Sequence, residues 1–464
     1  GNDISFQGVV FGTLVQDGSN GNALEVSFNS NASAAAVEHL LENLTYQNTS
    51  NDPSPTRDFR IQISDGDGGT SSPHLIKVNV TAEIDGAQSL GTEQQVNSYI
   101  NSHQDFPNVD ALIGGGYVIT WTSSGQDGNS DGVFAQRYNA DGIIIGAEFL
   151  VNSHFQGAQS NSQVTGLTGG GFVITWQDNG QDGSGWGIYG QRYDANGNAQ
   201  GGEFLINTST SSSQYEVSVA SLSGGGFITS WRSGSGDGSS SGVFAQRFDD
   251  SGNAQGGEFQ VNTEFSSTQF QPSAIGLTGG GFVITWTSQT SGSAGDGSSY
   301  GVFGQRYNAT GVAQGSEFQI NTVTTNNQYE GKVAALNDGG FVVVWRDDSG
   351  QDGSGIGVYG QRYDASGNTI DGEFRVNETT LSSQYQPDVV GLAAGGFVVV
   401  WRDDSGLDGS GAGVFGQQYD VNGNRVDGQF QLNSEVSSTQ HQPSVAALTN
   451  GNFVTAWSST TSAS

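Results

Sequence analysis

The chain has 464 residues, with 73 Gly, no Cys and no Met, and it is 34% hydrophobic and only 13% charged. Aromatic residues at 10% exclude a disordered chain, which lacks the large rings that repay ordering entropy. Zero Cys excludes a disulfide scaffold, a thiol nucleophile and a Cys-based metal site. No apolar run approaches the ~18 residues of a membrane span. The formal net charge of −32 repels phosphate backbones and anionic lipid. Nucleic acid and direct membrane insertion are therefore not expected, whereas solubility outside the cell and recruitment of cations are. Without a Met or a signal peptide, the chain reads as a segment of something longer.

In chain order, residues 1–86 read as one small domain. Alternating runs at Asp3–Val10, Ala23–Phe28, Asp58–Ile63 and Leu75–Val80 have strand periodicity. One helix is expected from Ser33 to Leu44, with Ser33 as N-cap and Val37, Leu40, Leu41 and Leu44 on one face. The Gly-rich loop Ser64–Thr70 places Asp65 and Asp67 two apart, as a hairpin turn or a calcium loop.

The order of helix, NTS turn and DGDGG loop resembles the second half of the cadherin-like tandem domains of giant bacterial surface adhesins. The resemblance covers about 80 residues of this chain and implies an extracellular, partial β-sandwich extender domain, often stiffened by calcium.

Residues 87–464 are a repeat. A GGFVVVW-like core ends at Trp121, Trp176, Trp231, Trp286, Trp345, Trp401 and Trp457, at spacings of 55 to 59 residues. Each copy carries four strand-like runs, here called A (Val-Ala-x-Leu), B (ending at the Trp), C (GVYGQRYD) and D (EFxVN). Four short antiparallel strands per ~55 residues make one β-propeller blade, with A innermost. The expected fold is thus all-β: a partial cadherin-like sandwich with one short helix, then a seven-bladed β-propeller of four-stranded blades whose last blade is incomplete. The region opens on a lone D strand, Glu93–Asn97, expected to close the ring by pairing into the blade of Trp457. These repeats also resemble those scattered through the same adhesins.

Arg recurs in strand C at 137, 192, 247, 306 and 362, with Glu eleven residues later, and both become Gln in the sixth copy (Gln418, Gln429). The covariation predicts an Arg–Glu pair across each C–D hairpin, with a structural role.

Two polar positions recur around the D-to-A crossing: an Asn ending strand D and a Gln opening strand A, including Gln214, Gln328 and Gln384. A ring often follows that Gln, as in Tyr215, Phe270, Tyr329 and Tyr385. These residues either satisfy crossing backbone groups or form a channel mouth of amides and rings for hydroxyl-rich ligands. Trp186 and Tyr300 stand at a position without consensus at the edge of the B–C loop, where a ring can stack on a sugar face. The B–C loops hold the carboxylate pairs Asp178/Asp182, Asp348/Asp352 and Asp404/Asp408, which are hard oxygen ligands suited to calcium, or plain Asp-Gly turns.

The five His have no metal-ligand spacing, the acids recur by repeat, and no phosphate loop is present. A non-enzyme is therefore expected: an adhesion or ligand-binding segment at the bacterial cell surface, binding a glycan or a surface protein and joined to neighbouring domains of a long chain. The alternatives are a secreted polysaccharide-active enzyme and a structural module of a fibre or surface layer.

Overall fold

A computed structural model describes residues 3–6, 8–17, 24–42, 56–61, 74–79, 92–235, 238, 240–265, 267–289, 300–409 and 411–460. The chain divides into two compact units, Gly1–Ile84 and Asp85–Ser464.

In the first unit, Asp3–Phe6, Val9–Asp17 and Leu24–Phe28 form a three-stranded antiparallel sheet. The alternating run at the start is broken at Gly8 (φ 80°), so it makes a hairpin and not one strand. The helix spans Ala34–Glu42, and Ser33 caps it, its Oγ accepting from the Ala36 N–H at 3.2 Å. Thr56–Ile61 pairs with His74–Asn79. Asp65 and Asp67 lie outside the described residues.

In the second unit, six four-stranded antiparallel sheets and one two-stranded sheet follow one another, here numbered I to VII. Every complete sheet has the order A-B-C-D. In sheet II these strands are Gln159–Gly166, Phe172–Asn179, Trp186–Tyr193 and Ala199–Leu205. The A strands of the others open at Gln104, Gln214, Gln269, Gln328, Gln384 and Gln440. Strand B is a run of β-branched and aromatic residues because both of its faces are buried between neighbouring sheets. Trp176, Trp231, Trp345 and Trp401 are completely buried. The ring opening strand B stacks on the ring ending strand C, as in Phe397–Tyr419 at 4.5 Å. Before strand B, Gly226 (φ 77°) is required, because a Cβ there would overlap the Phe248 carbonyl oxygen.

Each A strand touches the next, and the A strand of sheet VII (Gln440–Ala447) returns to that of sheet I (Gln104–Ala111). The sheets therefore form a closed ring with the A strands innermost, the arrangement of a β-propeller. Glu93–Asn97 does not enter a ladder with strand B of sheet VII (Phe453–Ser459), contrary to expectation. In the complete sheets strand C lies between B and D, and sheet VII has only A and B among the described residues. At the same joint Glu93 Oε2 accepts from the Ser434 and Glu435 N–H groups. Glu203 does the same at Ser153, and Glu148 at Ser98.

The predicted Arg–Glu pairs do not form. Arg192 donates to the Ser251 carbonyl in the C–D turn of the next sheet. Glu203 faces the previous crossing and also accepts from Gln181 Nε2. A register shift between Gly190 and Arg192 sets Arg192 opposite Gln200, so the two charges leave the hairpin towards opposite neighbours.

Candidate functional site

At the D-to-A end of the ring, strand A is bulged in every sheet, as between Tyr215 and Ser218. The bulge places one non-Gly residue per sheet in the left-handed region: Phe106, Asn161, Glu216, Gln271, Glu330, Gln386 and Gln442, with φ between 51° and 59°. Such residues cost of order 1–3 kcal/mol each and persist where surrounding contacts hold them. Here a relay of hydrogen bonds does so. The backbone N–H of Gln271 donates to Glu216 Oε2 (2.6 Å), Glu330 to Gln271 Oε1, Gln386 to Glu330 Oε2 (3.1 Å), Gln442 to Gln386 Oε1 and Phe106 to Gln442 Oε1. At sheets II and III the relay uses strand B instead: Asn161 N–H donates to Thr122 Oγ1 and Glu216 N–H to Gln177 Oε1.

Beside this relay runs a belt of rings and guanidinium groups. The register pairs Tyr215 with Arg232, Tyr329 with Arg346 and Tyr385 with Arg402 across strands A and B. Trp186 lies 6.4 Å from Tyr215. The Arg232 guanidinium lies between Tyr215 (6.0 Å) and Phe270 (5.8 Å). Phe270 meets Tyr300 edge-on at 5.5 Å, and Tyr300 meets Tyr329 at 6.2 Å. Arg346 lies over both Tyr329 (4.4 Å) and Tyr385 (4.7 Å), and Arg402 lies over Tyr385 at 5.6 Å. These rings are all half-buried. The belt is confined to sheets II to VI. The positions equivalent to Tyr215 and Arg232 are Asp105 and Thr122 in sheet I, Ser160 and Gln177 in sheet II, and His441 and Ser458 in sheet VII. The mouth is thus asymmetric although the fold repeats.

Carboxylates hold the guanidinium groups. Arg232 pairs with Glu216 at 3.5 Å. Arg346 pairs with Asp348 at 3.1 Å and with Glu330 at 3.9 Å. The Tyr329 hydroxyl donates to Asp348 Oδ2 at 3.1 Å. Burial pushes the Glu330 carboxyl above its ordinary value, with Arg346 and the Gln386 N–H opposing the shift. Inside the ring, strand A brings together Asp110, Lys332 and Asp388. Burial raises both carboxyls, Lys332 counteracts this at Asp388, and the negative charge of Asp388 adds to it at Asp110.

The sequence-expected residues separate into two groups. Tyr215, Tyr300, Tyr329, Tyr385 and Trp186 share the belt. Gln214, Gln328 and Gln384 do not: they are wholly buried, and each accepts from the strand-D Asn, as Gln214 Oε1 does from Asn207 Nδ2 at 3.2 Å. These amides lock the D-to-A crossing and offer nothing to a ligand in this structure.

The carboxylate pairs are divided among other partners. Asp178 takes His154 Nδ1 at 3.2 Å, Asp348 takes Arg346 and Tyr329, and Asp404 takes Arg402 at 2.7 Å. Asp182 and Asp352 accept from their own loop N–H groups, and Asp408 accepts from Asn433. Among the described residues no three His, Cys, Asp or Glu converge as a metal-binding group. Sequence reasoning missed Arg232, Arg346, Arg402, Glu216 and Glu330. The available signal was the position after the core Trp, which reads Thr, Gln, Arg, Thr, Arg, Arg, Ser along the seven copies and so departs from the repeat.

No family model matches the chain, and no curated protein matches it. Among solved structures it is similar to an ulvan lyase described as a new family of polysaccharide lyase (12% identity, 78% of this chain and 89% of that one, TM-score 0.46). It is also similar to an α-L-arabinanase of Penicillium chrysogenum complexed with arabinobiose (15%, 64% and 92%, TM-score 0.42). A third is an α-L-arabinofuranosidase of Fusarium graminearum with arabinobiose (12%, 64% and 92%, TM-score 0.43). The expectation of a non-enzyme is corrected by this finding. The structures named are an arabinanase, an arabinofuranosidase and a polysaccharide lyase. Among the described residues no helix is long and apolar enough to cross a membrane.

Proposed function

We propose that the second unit is a seven-bladed propeller acting on polysaccharide outside the cell, with the belt from Trp186 to Arg402 as its sugar-binding face. The observation that carries this reading is the belt itself: half-buried rings, spaced along one arc and interleaved with guanidinium and carboxylate groups. Rings stack on the apolar faces of sugars, and the charged groups hydrogen-bond hydroxyls. An extended polymer can contact several ring positions in turn. Glu330 is the proposed proton donor, since burial favours the protonated form of its carboxyl and a protonated carboxyl can protonate a leaving oxygen. Glu216, two sheets away, is the second carboxylate of the arc. The first unit serves in this reading as a cadherin-like spacer, supported by its order of strands, capped helix and hairpin.

The test is a panel of soluble polysaccharides, read for binding and for release of reducing ends or unsaturated products. We expect binding and turnover of at least one polymer, with Glu330→Gln retaining binding and losing turnover. Binding without turnover by the unmodified protein overturns the catalytic assignment. Absence of both overturns the whole reading.

A further inference from the structure

The charged groups of the belt are already matched to one another. Arg402 presents its Nε and Nη2 side by side to Asp404, at 2.7 and 3.2 Å. Arg346 Nε donates to Asp348 at 3.1 Å, and its Nη1 lies 3.9 Å from Glu330. Arg232 Nε donates to Ser241 Oγ at 3.1 Å, and its Nη1 lies 3.5 Å from Glu216. Three guanidinium groups thus stand among four carboxylates. With Glu330 protonated, as its proposed role requires, the two signs are equal in number.

The other cations of the second unit do not change this balance. Five strand-C arginines donate into C–D turns at the other end of the ring. Arg425 pairs with Glu378, and Arg375 ends a D strand, the outermost of its sheet. Lys332 acts on Glu330, but it also acts on Asp388, which brings a further negative charge. The chain as a whole carries −32.

An acidic sugar is held best by a free guanidinium fork, which offers two parallel N–H bonds to one carboxylate or sulfate. On Arg402 that fork is taken by Asp404, and the Nε of Arg232 and of Arg346 is engaged as well. A uronate or sulfate on the belt would have to displace Asp404 or lie beside it, and like charges brought together on a partly desolvated face repel. A hydroxyl suits the same groups. A carboxylate oxygen accepts more than one hydrogen bond, and Glu216, Asp348 and Asp404 are half-buried, not sealed. The Tyr329 hydroxyl, which donates to Asp348 Oδ2 at 3.1 Å, is such a donor already in place.

We infer that the belt selects uncharged, hydroxyl-rich polysaccharide and rejects polymers of uronic acid or sulfated sugar. This rests on the belt being the sugar-binding face, as proposed above, and adds the charge class of the substrate. The rings supply stacking to either class, so the charged groups make the choice.

The probes are three neutral polymers (a soluble β-glucan, a galactomannan and an arabinoxylan) and three anionic ones (polygalacturonate, alginate and a sulfated galactan). The tightest neutral binder is then compared with the same polymer after oxidation of its primary hydroxyls to carboxylates, which changes charge and keeps the linkages. We expect oxidation to weaken binding at least about tenfold in low salt, and added NaCl to narrow the gap by screening the repulsion. Affinity for the neutral polymer should stay within about twofold over the same salt range. Asp404→Asn frees the Arg402 fork and is expected to improve binding of the oxidised polymer about threefold relative to the neutral one. An unchanged ratio in that variant overturns the assignment of selectivity to the belt. An anionic polymer that binds as tightly as the best neutral one overturns the inference and leaves the sugar-binding reading standing. Binding of none of the polymers overturns both.

Discussion

Arg346 shows most directly how this surface works. It lies against Tyr329 and Tyr385 while Asp348 accepts from its Nε–H and Glu330 pairs with it at 3.9 Å. A guanidinium over a ring contributes about 0.5–2 kcal/mol, and here two rings share one. Removing it takes the cation from both rings and leaves Glu330 without the nearer of the two cations that act on it. Arg346→Ala is therefore expected to weaken polysaccharide binding about tenfold, and Tyr385→Ala by a similar factor, both read by calorimetric titration. Glu330→Gln keeps the side-chain oxygen that accepts from Gln386 and removes the titrating group. Turnover should fall while affinity stays within about threefold. In the unmodified protein, any turnover should decline as pH rises through the raised pKa of Glu330, because a proton donor must be protonated to act.

At the scale of the element, the repeat made the strands readable and the connections only partly so. Periods of apolar residues and Gly-rich turns located the four strands of the six complete copies, since a strand buried on both faces must be an apolar run. The recurring Asn and Gln were also visible, with two roles open to them. Their burial selects the structural one: Asn207 Oδ1 accepts from Ile188 N–H at 2.7 Å while its Nδ2 serves Ser209 O and Gln214. Asn207→Ala should lower stability by about 1–3 kcal/mol, the cost of unsatisfied buried partners, measured by denaturant unfolding. The Arg–Glu covariation misled because a repeat cannot distinguish contacts within one copy from contacts with the copy before or after it. Arg192 and Glu203 covary through two different neighbours. A double-mutant cycle of Arg192→Ala with Glu203→Ala should show coupling within about 0.5 kcal/mol of zero. The left-handed Glu216 and Glu330 had no sequence signal, since nothing in a Tyr-Glu pair announces a bulge.

For the whole molecule, the ring imposes burial on acids in a chain already at −32. Burial raises the carboxyls of Asp110, Asp178, Asp347, Asp388 and Glu330. An acid raised on folding binds more protons in the folded state. Stability from these groups is greatest at low pH and falls as pH rises from about 4, the unfolded value, through their raised values. Asp194, Asp249, Asp364 and Asp420, lowered in turns that hydrogen-bond them, act oppositely and lose their contribution as pH falls below about 4. Tm should therefore fall as pH rises from about 4 through these raised values at constant ionic strength, and Glu330→Gln should lessen that fall. A Tm that rises steadily with pH over this range would contradict the burial of these carboxyls.

The belt as a polysaccharide-binding face is tested most directly by comparing both ends of the ring in one titration series. Arg346→Ala and Tyr385→Ala remove belt groups, while Val312→Ala changes an exposed C–D turn residue at the other end. Affinity for the polymer identified in the panel should fall about tenfold in each of the first two and remain unchanged in the third. Equal affinity in all three, with folding intact, would contradict the account.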